Sequence, residues 1–197
     1  MSEASGEGRE AKGGASESSR EDRELMARVQ AGDEAALGAL MERWELPLKG
    51  LIGRIVLNAG EAEELAQETF VRVWQQRARF RAGAEFRPWV FAIAVNLARN
   101  RLRWWRRRPA VSLQEWSETE DGGGKTENGL EIAERAAAVR DAIAALPMEL
   151  REAIVLFEYE EMSHAEIAAT VGATPKAVET RIYRAREKLR VALQHWT

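Results

Sequence analysis

The chain contains no cysteine, and its only histidines are His164 and His195. The absence of cysteine excludes disulfide bonds and thiolate metal sites, and we expect a cytoplasmic protein. We interpret His164 as a surface residue beside a helix cap and His195 as a surface residue near the terminus. General acid–base and metal chemistry therefore have few side chains to use. We expect no metal, no cofactor and no enzymatic activity.

Long apolar runs are also absent, since no stretch reaches the roughly 18 apolar residues that a membrane-spanning helix needs. The first 22 residues are rich in Ser, Gly and Glu and lack the apolar segment of a signal peptide. We predict that residues 1–22 form a disordered tail, because they are too polar to bury a core. We expect no direct insertion into a membrane.

Lysine is missing from residues 71–108, which instead hold eleven arginines and a single acid, Glu85. A second basic segment, residues 174–190, carries six basic residues and two acids. Between them, residues 112–136 contain seven acids and two bases. The net charge of −3 therefore conceals two basic islands, a pattern typical of a nucleic-acid footprint in two parts.

Ala, Leu, Glu and Arg dominate the chain, and apolar residues recur at helical spacing, which predicts an all-α fold. Residues 109–129 contain a proline, a glycine triplet and many acids, so we predict a flexible acidic linker. As a coil it would span about 25–30 Å, and up to about 75 Å if extended. The linker would separate two small helical domains, residues 23–108 and 130–197. The predicted helices are 23–31, 33–58, 61–78, 86–107, 130–145, 148–160, 164–171 and 175–194.

The segment SHAEIAATVGATPKAVETRIYRAREKLR predicts a helix-turn-helix. Ser163 and Glu166 form a capping box, Gly172 ends a short helix, and Thr174 with Pro175 begins a longer basic one. Val178, Ile182, Ala185 and Leu189 share one face and should pack on the core. The outward and flanking side chains can reach base edges and phosphates: Lys176, Thr180, Arg181, Tyr183, Arg184 and Arg186. The alternative is a helical hairpin with a charged exterior.

The segment AGEAEELAQETFVRVWQQ predicts a helix with a buried stripe of Ala62, Leu65, Ala66, Phe70 and Val73. Its other side is acidic and has no basic residue before Arg72. This side is either a solvated face or a docking surface for a basic partner. The candidate docking residues are Glu61, Glu64, Gln67 and Glu68, with Phe70 and Trp74 as anchors at the edge.

The stretch RLRWWRRR ends a helix on which asparagines, arginines and a tryptophan recur at spacings of three, four and seven. Asn and Arg can bond to bases and phosphates, and aromatic rings stack on unpaired bases. The alternative is a solvated helix end whose guanidinium groups favour the helix dipole. The composition favours a nucleic-acid-binding face comprising Trp89, Asn96, Arg99, Asn100, Arg103 and Arg107.

Three ordered segments resemble RNA polymerase sigma factors of the sigma-70 family, and the two-domain minimum resembles the extracytoplasmic-function (ECF) group. They are AEELAQETFVRVWQ, FRAGAEFRPWVFAIAVNLARNRLR and ALPMELREAIVLFEYEEMSHAEIAATVGATPKAVETRIYRAREKL. The resemblance implies that the acidic helix docks on the clamp helices of the largest polymerase subunits. It implies that residues 80–107 read and melt the minus-10 element. This range adds Phe80, Arg81 and Phe86 to the candidate DNA-binding residues named above. The helix-turn-helix, with Thr174 and Lys188, would read the minus-35 element.

The resemblance also implies three partners, namely core RNA polymerase, promoter DNA and an anti-sigma factor. Two residues depart from the family pattern: Glu179 stands where Lys or Arg is common, and Asn100 where many relatives have Asp. Glu179 could favour a cytosine edge. A stand-alone helix-turn-helix regulator is the alternative function, but it leaves the acidic helix and the RLRWWRRR face unused. An enzyme is a third reading, with almost no side chains to support it.

Overall fold

The structure, a computed structural model, describes residues 7–107 and 127–195. Within these two ranges it contains helices and no strand, which confirms the predicted all-α class. A short 3-10 turn, Arg77–Arg79, follows the third helix. The α-helices are α1 Glu7–Gln30, α2 Glu34–Val56, α3 Ala59–Gln76, α4 Phe86–Arg107, α5 Glu127–Ala144, α6 Met148–Glu158, α7 His164–Val171 and α8 Pro175–Ala192.

Four helices begin where the sequence offers a capping side chain. Asp33, Asn58, Ser163 and Thr174 each accept a hydrogen bond from a backbone N–H in the first turn of α2, α3, α7 and α8. Such caps satisfy donors that have no partner within the helix, and each contributes about 1 kcal/mol. These four helix starts are confirmed to within two residues of their predicted positions.

The amino-terminal helix is longer than predicted. Arg43 of α2 donates to the Ser18 hydroxyl at 2.8 Å and to the carboxylate of Glu21. Asp22 is buried, accepts from the Trp44 indole at 3.2 Å and pairs with Arg43 at 3.1 Å. Burial raises the pKa of the Asp22 carboxyl. The predicted tail boundary at residue 22 is therefore wrong, because polar residues before it find partners on a distant helix; residues 1–6 lie outside the described residues.

Helices α1 to α4 form a first unit in which α2 contacts the other three. Leu40, Leu51 and Ile55 of α2 are fully buried in the same apolar core as Leu65 of α3 and Val90 of α4. Burial of such side chains, each contributing roughly 1.5–3 kcal/mol, is the main stabilising term of the unit. The predicted stripe on the acidic helix is confirmed, since all five of its members are buried.

Helices α5 to α8 form a second unit in which α8 packs against α6 and α7. Val178, Ile182 and Ala185 are buried, and Leu189 is partly buried against the same core, as predicted. Between α7 and α8, Gly172 adopts a φ of +67°, a left-handed conformation that glycine takes without steric cost. The helix-turn-helix geometry is therefore present.

The two units pack against each other, with α4 on α7 and α2 on α6. At the centre, the guanidinium of Arg99 on α4 donates through both Nε and Nη2 to the carboxylate of Glu152 on α6. The Glu152 side chain is 0% exposed and that of Arg99 is 20% exposed. A buried carboxylate needs such a partner, because the free-energy cost of removing an unpaired charge from water is several kcal/mol.

Two further arginines connect the units. Arg151 of α6 donates to the Ile55 carbonyl of α2 at 2.8 Å and also to the Ala144 carbonyl of α5, so it satisfies the ends of two helices. Arg87 of α4 donates to the backbone carbonyl of Glu160. Burial raises the pKa of the Glu160 carboxyl, and the charge of Arg87 partly offsets this shift.

The predicted organisation into two helical domains is confirmed, whereas their close packing is not predicted by the sequence. The linker prediction, residues 109–129, lies outside the described residues up to Thr126, and α5 begins at Glu127, before the predicted domain start at 130. An independent pair of domains would leave Glu152 exposed. Contact between the units therefore combines a shared apolar core with long-range ion pairs, and helical periodicity predicts neither.

We expect Glu152→Gln to separate the two units without unfolding them, because the variant keeps the side-chain shape but leaves Arg99 without its counter-charge. The contact should weaken by about 3 kcal/mol, the lower end for breaking a buried ion pair. Small-angle X-ray scattering should give a larger radius of gyration, with unchanged helical circular dichroism.

The matched control is Glu149→Gln, because Glu149 lies on the same helix but is 72% exposed and pairs with Arg181 of its own unit. This variant should scatter like the original chain. Identical scattering from all three proteins would show that the Arg99–Glu152 pair does not hold the units together.

Candidate nucleic-acid interface

The outer face of α8 presents the side chains that the helix-turn-helix prediction places there. Lys176, Thr180, Tyr183 and Arg184 are exposed on the side opposite the buried Val178. Thr180 donates its hydroxyl to the Lys176 carbonyl at 2.9 Å, which fixes that side chain against the helix. The face combines a lysine, a phenol and a guanidinium, which can contact phosphates and base edges in a major groove.

The two flanking arginines of α8 are engaged within their own unit. Arg181 pairs with Glu149 at 3.2 Å, and Arg186 donates to Glu158 at 2.7 Å while lying over the Phe157 ring. Both therefore anchor α8 in its present position. Of the other predicted residues, Thr174 is the α8 cap, accepting from the Ala177 N–H at 3.2 Å, and Lys188 is exposed.

The helix before the turn is held at its start by a reciprocal cap. The Ser163 N–H donates to Glu166 at 2.8 Å, and the Glu166 N–H donates to the Ser163 hydroxyl at 3.3 Å. The hydrogen bond from the Ser163 side chain lowers the pKa of the Glu166 carboxyl. The cap therefore orients α7, and through the Gly172 turn it orients α8.

One face of α4 is polar and basic, as predicted. Asn96, Asn100, Arg103 and Arg107 are exposed, and Trp89 is half-buried at the start of the same helix. Arg107 also donates to the Arg103 carbonyl at 3.4 Å. The four exposed side chains offer amide and guanidinium groups along one surface, which suits contact with both bases and phosphates.

Phe80 and Phe86 do not belong to this surface, so the expectation that they contact DNA is corrected. They are 5% and 1% exposed, respectively, and their ring centroids lie 6.3 Å apart. Phe80 also packs edge-on against Trp89 at 5.1 Å, and Phe86 against Trp44 at 5.8 Å. This aromatic cluster sits under the loop before α4 and leaves Arg81 exposed on it.

Arg99 is not exposed alongside Asn96, Asn100 and the other residues of the predicted face. Besides Glu152, it approaches the Val171 carbonyl of α7 at 3.4 Å. The hydrogen bond with Glu152 raises the pKa of Arg99 further above its usual range. In this packed arrangement the second unit therefore covers Arg99, which lies on one flank of the polar face of α4.

The acidic side of α3 is partly neutralised by arginines of α4 and of α3 itself. Arg101 of α4 donates to Glu61 and, at 2.9 Å, to Glu64. Glu68 accepts from Arg72 at 3.0 Å, whereas Gln67 is exposed. Glu61 and Glu64 therefore attach α4 to α3 in addition to any role at a surface.

A groove between α2 and α3 is the surface that reasoning from the sequence missed. Its cavity volume is about 570 Å³, and it unites the predicted Gln67, Phe70 and Trp74 with residues of α2. Val71 and Met41 are exposed large apolar side chains at this groove. Phe70 itself is buried, so it forms the floor. The α2 residues lining the groove are Glu34, Leu37, Met41 and Glu45.

Among residues 7–107 and 127–195, no cluster of three or more His, Asp or Glu side chains could hold a metal ion. His164 instead packs against the Phe157 ring, with centroids 5.4 Å apart. No helix in the described part of the chain is long and apolar enough to cross a membrane.

Two segments of the chain match known family models. Residues 40–108 match Sigma-70 region 2, and residues 136–189 match Sigma-70, region 4. The first segment contains α3, α4 and the polar face, and the second contains the helix-turn-helix. One matched segment therefore lies in each of the two packed units.

Relatives align along most of the chain. It is 36% identical over 183 residues to the RNA polymerase sigma-H factor of Pseudomonas aeruginosa, covering 88% of this chain and 94% of that protein. It is 35% identical over 176 residues to the ECF RNA polymerase sigma-E factor of Escherichia coli K12, covering 85% and 92%.

Two solved structures share the fold. One is CnrH in complex with the cytosolic domain of CnrY, with a TM-score of 0.68, 29% identity and coverage of 90% of this chain and 99% of that one. The other is the sigma factor RpoE in complex with the anti-sigma factor NepR from Bartonella quintana, with a TM-score of 0.63, 22% identity and coverage of 80% and 96%. With both regions, the full-length relatives and the fold in agreement, this chain belongs to the sigma-70 family of RNA polymerase sigma factors, in its extracytoplasmic-function group.

Proposed function

We propose that the chain directs core RNA polymerase to promoters through three separate surfaces, and that it has no catalytic activity of its own. The observation that carries this proposal is the presence of two exposed basic faces, on α4 and α8, together with an apolar groove on the α2–α3 side of the first unit. A stand-alone DNA-binding protein would need only the α8 face. The protein would act in the cytoplasm, where polymerase and promoter DNA meet.

The groove between α2 and α3 is the proposed docking site for core polymerase. Its floor and walls are apolar, and the carboxylates of Glu34 and Glu45 stand at its rim. Such a surface fits a helix that is apolar on one side and basic on the other. The predicted docking residues Glu61, Glu64 and Glu68 lie further along α3, where the first two pair with Arg101 and the third with Arg72.

The polar face of α4 is the proposed minus-10 surface. Strand opening costs a few kcal/mol per unstacked step, so the separated strand must be held by new contacts. Asn96 and Asn100 can bond to bases, while Arg103 and Arg107 can neutralise phosphates. Arg81, exposed on the preceding loop, would add a further cation.

The packed arrangement must open for both elements to be bound at once. Elements about 25 base pairs apart are separated by about 85 Å of B-form DNA at 3.4 Å per base pair. A compact chain of 197 residues has a radius of gyration of only about 16 Å. We therefore propose that the Arg99–Glu152 contact separates on promoter binding, which would also release Arg99 to the DNA.

An anti-sigma factor is the proposed regulatory partner. The solved relatives CnrH and RpoE are each described in complex with another protein, CnrY and the anti-sigma factor NepR. A partner that holds the two units together would keep Arg99 covered. This provides a physical route by which such a protein could prevent promoter binding.

We expect Val71→Arg to weaken binding to core polymerase at least tenfold. Val71 is 53% exposed and lines the groove, so the variant should fold normally yet place a charge where an apolar partner docks. Gel filtration of the chain mixed with core enzyme measures the loss of the complex.

Leu46→Arg is the matched control for this experiment, since Leu46 is a 77% exposed apolar residue of α2 that does not line the groove. Its binding should equal that of the original chain. Undiminished binding by Val71→Arg would place the docking surface elsewhere.

We expect Asn96→Ala combined with Asn100→Ala to block promoter opening while leaving binding to core polymerase intact. Both side chains are exposed, so the fold should not change, but the contacts that hold the separated strand are lost. Permanganate footprinting should show unreactive thymines on a duplex promoter.

A promoter with a pre-melted minus-10 bubble should recover part of the activity of this double variant, because its strands are already separated and no free energy is needed to open them. Normal thymine reactivity on the duplex template would contradict the assignment of this face.

A further inference from the structure

An exposed acid interrupts the basic outer face of α8. Glu179 lies in the second turn of the helix, with its side chain 52% exposed, between Lys176 one turn earlier and Tyr183 one turn later. A carboxylate beside DNA phosphates is repelled by them. An acid on the part of a recognition helix that enters the groove therefore reduces affinity unless it gains a specific contact.

The position of Glu179 is suited to such a contact. In a helix-turn-helix, the residues near the N-terminal end of the second helix reach the base edges. Val178 and Ile182 are buried on the other side of the helix and fix its orientation. Because Glu179 follows Val178 directly and is exposed, its side chain extends from the flank of the outer face.

Lys176 forms an ion pair with Glu179, which favours the ionised carboxylate and balances its negative charge. Its Nζ lies 2.9 Å from Glu179 Oε2. The hydrogen bond and charge of Lys176 lower the pKa of the Glu179 carboxyl. At neutral pH the group is therefore ionised, so it accepts hydrogen bonds and cannot donate one. A carboxylate has about four acceptor sites, so it can hold Lys176 and accept a second donor at the same time.

We propose that Glu179 determines specificity at one base pair of the minus-35 element by accepting a hydrogen bond from the N4 amino group of cytosine. This inference rests on the proposed role of α8 in reading that element. Lys176, with its side chain 81% exposed, lies beside the same contact and can turn toward a phosphate.

The choice of cytosine follows from the groups that each base shows in the major groove. Guanine presents two acceptors and thymine presents an acceptor and a methyl group, so both repel or exclude a carboxylate. Adenine offers an amino donor, but its N7 acceptor stands next to it. Cytosine offers an amino donor without an adjacent acceptor, which makes it the best partner for an ionised acid.

A second acid on α8 provides the matched control. Glu187 is 47% exposed and pairs with Arg190 at 3.1 Å, in the same three-residue spacing as Lys176 and Glu179. It lies two turns nearer the C-terminal end of the helix, away from the part that enters the groove. Removing either charge should therefore have the same general electrostatic effect, but only Glu179 should affect base choice.

The test uses the full chain bound to core RNA polymerase and a pool of promoter duplexes with a randomised minus-35 element, with the bound fraction sequenced. The original chain should enrich cytosine at one position. Glu179→Gln should reduce this preference about tenfold and move it toward adenine, because an amide offers both a donor and an acceptor. Glu187→Gln should leave the selected sequence unchanged, and Arg184→Ala should relax a different position.

Two results would overturn the inference, and they have different meanings. If Glu179→Gln selects the same sequence as the original chain, or binds every sequence more tightly in the way Glu187→Gln does, Glu179 acts only as a charge. The minus-35 role of α8 would still stand if Arg184→Ala relaxed its own position. If the original complex selects no sequence at all, that role fails and the inference with it.

Discussion

The buried carboxylate of Glu152 constrains which surfaces this chain can present. It is fully enclosed between α6 and α4, and its charge is balanced by Arg99 from the other unit. Neither side chain can be buried alone without a cost of several kcal/mol, so the two units either remain in contact or expose both charges to water. The Arg151 and Arg87 contacts with backbone carbonyls favour the packed form in the same way.

This constraint links the fold to its use of DNA. Arg99 extends from the helix that carries Asn96 and Asn100, so the residue that closes the two units is also a neighbour of the proposed strand-binding groups. In the packed form Arg99 has a buried partner, whereas in the open form a phosphate can replace that partner. The exchange of one anion for another keeps the guanidinium paired throughout, which makes opening less costly than the burial alone suggests.

Much of the fold could be predicted from the sequence, because its signals are local. Ser163, Gly172 and Thr174 specify where α7 and α8 begin and end through caps and a left-handed turn. The outward direction of Lys176 and Arg184 follows from helical periodicity alone. The burial of Phe80 and Phe86 could not be read in this way, because it depends on Trp44 from a distant helix, and the groove beside Val71 depends on α2 packing alongside α3. Contacts between residues far apart in the chain leave no local pattern, so they could not be predicted from the sequence.

The separation of the two units on promoter binding is the central claim, and the absence of cysteine allows it to be measured directly. Leu46→Cys and Val191→Cys place two labels on exposed sites, 77% and 58% accessible, one in each unit. Energy transfer between the labels should be efficient in the free chain and should fall when core polymerase and promoter DNA are added. Unchanged transfer in a complex that initiates transcription would contradict the account, because both elements would then be read without opening the Arg99–Glu152 contact.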